Sequence, residues 1–106
     1  MRVLFLCGRN RMRSPTAHIV IGAFPGVEAD SAGVRPDADV VVSAEQIAWA
    51  DLIVVMENRY RRVLTSRFGR ALRDKRVVSV DIKDDYAFMD DALVALLVKR
   101  VTPLLR

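Results

Sequence analysis

One cysteine, Cys7, occurs in this chain of 106 residues. That scarcity excludes an internal disulfide framework and a cysteine-built zinc cage, and a single free thiol suits a reducing cytoplasm. Histidine is equally rare, with His18 the one example. Aromatic residues make up only 7%. No apolar run approaches the roughly 18 residues of a membrane span. The apolar run near the N-terminus, Val3-Leu4-Phe5-Leu6, is too short for the core of a signal peptide. Repeats, low-complexity tracts and linkers are missing too. The expectation is one cytoplasmic domain over residues 1–106, near the common domain size.

What is present is an ordinary globular balance, 52% hydrophobic and 28% charged. The formal net charge is +4, and most of the 17 cationic residues are arginine. Residues 59–76 hold Arg59, Arg61, Arg62, Arg67, Arg70, Arg73, Lys75 and Arg76 against one acid, Asp74. The plain interpretation is a solvated helix face. The sharper one is a docking patch for an acidic partner. No nucleic-acid motif accompanies the run, which disfavours nucleic acid.

The chemistry concentrates in Cys7-Gly8-Arg9-Asn10-Arg11-Met12-Arg13-Ser14-Pro15. Before it, residues 2–6 read as a buried strand of a parallel sheet. After it, Ala17, Val20, Ile21 and Phe24 mark one face of a helix over residues 14–24. Ser14 is the expected N-cap, with Pro15 in the first turn. A tight loop between strand and helix would aim several backbone N–H groups and the positive helix end at one point. A cysteine attacks only as thiolate, and such surroundings favour that anion. The same donors fit phosphate oxygens, and the planar fork of Arg13 can hold two of them.

This stretch resembles the signature of the low-molecular-weight protein tyrosine phosphatase family, a strand followed by Cys-x-x-Asn-x-x-Arg-Ser-Pro-x-Ala. The likeness continues at Ser31-Ala32-Gly33, at Ala50-Asp51-Leu52-Ile53-Val54-Val55-Met56 and at Asp81-Ile82-Lys83-Asp84-Asp85-Tyr86. It implies a phosphate loop made by Gly8, Arg9, Asn10, Arg11, Met12, Arg13 and Ser14. It implies Cys7 as nucleophile, Arg13 as the phosphate-holding cation, and an Asp from an Asp-Pro-Tyr loop as general acid. Alignment of that loop favours Asp84, with Asp85, in the proline position, as the alternative acid. Asn10, Ser14 and Ser31 would hold the loop in shape, and Ser14 would hydrogen-bond the sulfur. Asn10 also suits a left-handed turn. Tyr86 either flanks a substrate ring or packs as a loop tyrosine. His18, where the family has Glu, is expected at a solvated or half-exposed helix position. Between Gly33 and the third strand the family carries a longer, histidine-bearing segment that walls the pocket. This chain lacks it, so a shallower, more open pocket is expected.

The remaining elements follow in order. Residues 27–31 alternate as a strand, and Ser43 with Gln46 forms a capping box for a short helix. Residues 52–56 are an apolar strand, 58–73 a helix with Gly69 as weak point or cap, and 77–80 a strand. Asp90-Asp91 opens a last helix with Leu93, Leu96, Leu97 and Val101 buried, ended near Pro103. Right-handed crossovers then give a three-layer α/β/α fold with a four-stranded parallel sheet, order 2-1-3-4. Both Cys7 and the acidic loop should lie at the carboxyl edge of that sheet. The expected function is a phosphatase needing no cofactor or metal, acting on a phosphorylated protein or a small phosphate ester. Two rivals remain: a non-catalytic phosphate-binding module, and an arsenate reductase. The second is weakened because Met12 stands where many relatives carry another cysteine.

Overall fold

The computed structural model describes residues 1–105. Four strands form one parallel sheet: β1 (Arg2–Cys7), β2 (Glu28–Gly33), β3 (Leu52–Val55) and β4 (Arg76–Ser79). Their order is β2-β1-β3-β4, as expected. Helices α1 (Arg13–Gly22) and α4 (Asp91–Val101) pack against each other on one face. Helices α2 (Ala44–Trp49) and α3 (Asn58–Phe68) cover the other, together with the 3-10 turn at Gly69–Leu72 that follows α3.

The sequence explains the layering. Val3, Leu4, Phe5 and Leu6 are fully buried, as are Leu52 to Val55. Strands covered on both faces need continuous apolar runs rather than alternation. The edge strands are more polar, with Glu28 and Arg76 exposed. Asp51 accepts a hydrogen bond from the Arg2 N–H at 2.8 Å, which fixes the start of β1 beside β3. The capping box forms as expected: the Gln46 N–H donates to Ser43 Oγ at 3.2 Å, and the Ser43 N–H donates to Gln46 Oε1 at 3.1 Å.

Two expectations are corrected. Helix α1 begins at Arg13 with Met12 at the N-cap, so Ser14 lies inside the helix and its hydroxyl serves the thiol instead. The helix expected over 58–73 stops at Phe68, because Gly69 adopts φ +37° and only a 3-10 turn follows. Its buried face is narrow. Tyr60 and Leu64 are buried, while Val63 is 37% exposed.

Several cations of the basic run close the fold on itself. Arg61 donates to the Val77 carbonyl and Arg76 to that of Leu104. Lys75 Nζ donates to the carbonyls of Ala48 and Ala50, at the C-terminal end of α2, where a cation is favoured. Among the described residues no helix is long and apolar enough to cross a membrane.

Register brings the strand ends together. Cys7 pairs with Gly33, Leu6 with Val55, and Val55 with Ser79. The loops that leave these ends therefore share one edge of the sheet, where open α/β sheets bind ligands.

Candidate active site

The loop after β1 is shaped from outside by the segment after β2. The N–H groups of Val34, Arg35 and Asp39 donate to the carbonyls of Cys7, Gly8 and Arg9 at 2.9, 3.0 and 3.1 Å. A trans peptide points its N–H opposite its C=O. Three outward carbonyls therefore turn the N–H groups of Gly8, Arg9 and Asn10 the other way. The Asn10 N–H indeed reaches Cys7 Sγ, at 3.2 Å. Among the described residues, the N–H groups of Gly8, Arg9, Arg11, Met12, Arg13 and Ser14 have no hydrogen-bond partner. They form an open ring of donors at the N-terminus of α1, which is the composition of an anion site.

Close approach makes this bracing possible. A Cβ on Gly33 would lie 2.5 Å from the Gly8 carbonyl oxygen and 2.6 Å from Ala38 Cβ. Only glycine lets the two segments pack. Asn10 takes φ +58°, the left-handed conformation that asparagine tolerates. Its side chain then donates to Ser14 Oγ at 2.9 Å, and Ser14 Oγ stands 2.9 Å from Cys7 Sγ. Cys7, Asn10 and Ser14 are all buried.

Arg13 is held by a clamp. Its Nη1 donates to Glu57 Oε2 at 2.7 Å and to the Ile82 carbonyl at 2.6 Å. Its Nη2 donates to the Tyr60 hydroxyl at 3.0 Å, and that hydroxyl donates to Glu57 Oε2 at 2.9 Å. Both Nη1 protons are thus used. The Nε–H and one Nη2–H, which lie on a shared edge of the guanidinium, remain. Nε is buried and makes no hydrogen bond among the described residues. That edge is the two-pronged donor that fits two oxygens of one phosphate. Burial penalises the guanidinium charge, yet the hydrogen bonds to Glu57 and Tyr60 raise the Arg13 pKa above its ordinary value. Burial likewise opposes charge on Glu57, but hydrogen bonds from Arg13 and Tyr60 hold its carboxyl below the ordinary value. Both charges persist across the neutral range.

The loop after β4 is pinned by Ile82. Its N–H donates to the Met56 carbonyl at 2.8 Å, its side chain is fully buried, and its carbonyl accepts from Arg13. Arg100 donates to the Val80 and Asp81 carbonyls and steadies the exit from β4. Two residues beyond Ile82, Asp84 Oδ1 lies 3.7 Å from Arg13 Nε, with the Asp84 side chain 68% exposed.

These groups open onto one cavity of about 690 Å³. Cys7, Gly8, Arg9, Arg11, Met12, Arg13 and Asp84 line it. Other expected residues lie elsewhere. Ser31 does not reach Asn10; its Oγ stands 3.1 Å from His18 Nδ1, because it sits on β2 facing α1. His18 is half-buried, as expected of its helix position. Asp85 is exposed and outside the wall, and Tyr86 packs against the core rather than along the cavity. The aromatic wall is Tyr60 of α3, which the sequence reading did not single out. Glu57 and the bracing role of 34–39 were also missed. A Glu directly after an apolar strand on the carboxyl edge was the available signal. Among the described residues no three His, Cys, Asp or Glu side chains cluster as a metal would need.

No protein-family sequence model matches the chain, and no curated protein matches it by sequence. Solved structures do match it by fold. The YwlE arginine phosphatase from Geobacillus stearothermophilus superposes with a TM-score of 0.76 and 25% identity, over 98% of this chain and 92% of that one. A low-molecular-weight protein tyrosine phosphatase from T. tengcongensis gives 0.77 and 23%, over 97% and 99%. A C7S mutant of YwlE with a phosphorylated active-site serine gives 0.75 and 23%, over 100% and 97%. In its sheet order and in the placement of its Cys-x-x-Asn-x-x-Arg-Ser-Pro loop, the chain shares the fold of these low-molecular-weight phosphatase structures and is similar to them.

Proposed function

We propose that this protein is a cysteine-dependent phosphatase that hydrolyses phosphate monoesters through a cysteinyl-phosphate intermediate. The observation that carries the proposal is the free Nε edge of Arg13, buried on the same cavity wall as Cys7. A buried guanidinium with unused donors beside a thiol is suited to a tetrahedral oxyanion and to little else.

In the first step Cys7 Sγ attacks phosphorus and the ester P–O bond breaks. Arg13 and the loop N–H groups hold the three non-bridging oxygens, whose charge they match through the transition state. Asp84 gives its proton to the departing oxygen, which leaves as the alcohol. In the second step the Asp84 carboxylate takes a proton from water, the water oxygen attacks phosphorus, and the P–S bond breaks. Ser14 donates a hydrogen bond to the departing sulfur, which leaves as the thiolate, and inorganic phosphate is released. The phosphorylated serine of the YwlE mutant supports a covalent route on this fold. The same proposal takes residues 1–106 as one domain acting in the cytoplasm, on a phosphorylated protein or a small phosphate ester.

Hydrolysis of p-nitrophenyl phosphate across pH by the wild type, Cys7→Ser and Asp84→Ala tests the proposal. Activity that vanishes with Cys7 and falls strongly with Asp84 is the expected result. A wild type that binds phosphate or vanadate without turnover would replace the phosphatase by a phosphate-binding module.

A further inference from the structure

Five guanidiniums line the cavity, those of Arg9, Arg11, Arg13, Arg35 and Arg59, against the single carboxylate of Asp84. Arg13 is buried and suffices, with the loop N–H groups, for one phosphate. The others stand at the lip. Arg9 and Arg35 form a fixed pair there. Arg35 Nε lies 2.9 Å from Asp37 Oδ1, and Arg9 Nη2 lies 3.5 Å from Asp37 Oδ2. Two cations thus share one carboxylate, which leaves a unit of positive charge unmatched. Asp37 itself is not on the cavity wall, so it holds the pair from behind. The Arg9 and Arg35 side chains are 47% and 53% exposed. The pair is tied to the phosphate loop, because the Arg35 N–H donates to the Gly8 carbonyl.

Aromatic recognition has less support. Tyr60 is the one aromatic ring on the wall, and the guanidiniums of Arg59 and Arg13 lie 5.1 and 5.8 Å from its centroid. These guanidiniums lie over the ring and compete for the faces on which another ring would stack.

We propose that the leaving group of the substrate carries a second anionic group, a phosphate or a carboxylate, which seats on the Arg9–Arg35 pair. This deepens the phosphatase proposal and rests on it. Guanidiniums already fixed by a shared carboxylate lose little side-chain freedom on binding, and their planar donors suit either oxyanion.

The test is equilibrium binding of two non-hydrolysable probes, benzylphosphonate and 3-carboxybenzylphosphonate, to the wild type and to Arg35→Met. Arg35→Met removes the guanidinium and keeps the backbone N–H. The wild type should bind the carboxylated probe about fivefold tighter at low salt, as expected for charge pairing near a surface. Arg35→Met should lose that preference, read as the ratio of its affinities for the two probes, and high salt should erode the preference in the wild type. Equal affinity of the wild type for both probes would overturn the inference and leave the phosphate site standing. Failure to bind either probe would overturn both. Competition against the carboxylated probe identifies the source. A sugar bisphosphate that outcompetes its monophosphate assigns a small ester. A glutamate-flanked phosphopeptide that outcompetes its alanine-flanked control assigns a protein. If neither outcompetes its control, the inference is overturned.

Discussion

Ser14 Oγ stands 2.9 Å from Cys7 Sγ and 3.3 Å from the Ala32 carbonyl oxygen, and it has one proton to give. While sulfur carries its own proton, Sγ–H can donate to Ser14 and the hydroxyl can bond Ala32. Once sulfur is a thiolate, it accepts and the hydroxyl must turn to it. Asn10 Nδ2 donates to Ser14 Oγ at 2.9 Å in either case and holds the oxygen in place. Ser14→Ala should therefore slow the step in which sulfur leaves. A lost hydrogen bond to a charged group is worth about 1.5–3 kcal/mol, a tenfold or greater effect on kcat. Stopped-flow release of p-nitrophenol should show a burst followed by a slow phase. A steady rate equal to wild type would remove Ser14 from the mechanism.

Glu57 sets the position of Arg13, so removing it should impair phosphate binding without touching Cys7. Glu57→Ala leaves the buried guanidinium with fewer anchors, and misplacement of a clamp costs on the order of 10²-fold in kcat/KM. Phosphate affinity should fall in parallel, as read by calorimetry.

The same pair gives a pH dependence of stability. The Glu57 carboxyl lies below its ordinary value of 4.5 in the folded protein, so its folding contribution is complete above that value. It is lost as pH falls through the lower, folded value, because the unfolded state takes up the proton first. Thermal unfolding between about pH 6 and pH 3 should lose Tm more steeply for the wild type than for Glu57→Gln. Parallel curves would show that the pair adds no linkage.

Asp84 and Asp85 are neighbours with different surroundings. Asp84 lines the cavity near Arg13, and Asp85 does not. Asp84→Asn should lower kcat by about 10²–10⁴-fold, more for phenyl phosphate than for p-nitrophenyl phosphate, whose leaving group needs less protonation. Asp85→Asn should stay near wild type. A reversed pattern would move the acid by one residue.

Gly33→Ala tests the outer brace. Its methyl would meet the Gly8 carbonyl oxygen at 2.5 Å, backbone that cannot swing away. Overpacking of this kind costs about 1–3 kcal/mol, so Tm should fall and phosphate affinity should drop with it. A change in Tm alone would separate the brace from the donor ring.

The sheet was legible because its central strands are unbroken apolar runs, and Val3 to Leu6 and Leu52 to Val55 admit no other place in a small α/β fold. The thiol loop was legible because its residues are contiguous. Legibility ended where partners are distant in sequence. Glu57 and Tyr60 meet Arg13 only through the β1–β3 pairing. The Tyr60 apolar ring and polar tip serve two surfaces, and helix periodicity reports only the first. Ser14 was misread for a related reason. Its position before Pro15 fits an N-cap, but a buried sulfur offered its hydroxyl a partner that local rules ignore. Ser31 looked like a loop support from its place in the motif, yet strand alternation turns it toward His18.

The most direct measurement is rapid-quench mass spectrometry of the protein during turnover of p-nitrophenyl phosphate, with Ser14→Ala used to lengthen the life of the intermediate. The mechanism predicts one added phosphoryl group, mapped to the peptide that contains Cys7 and absent from Cys7→Ala. Steady hydrolysis with no phosphoryl group on Cys7 in either protein would contradict it.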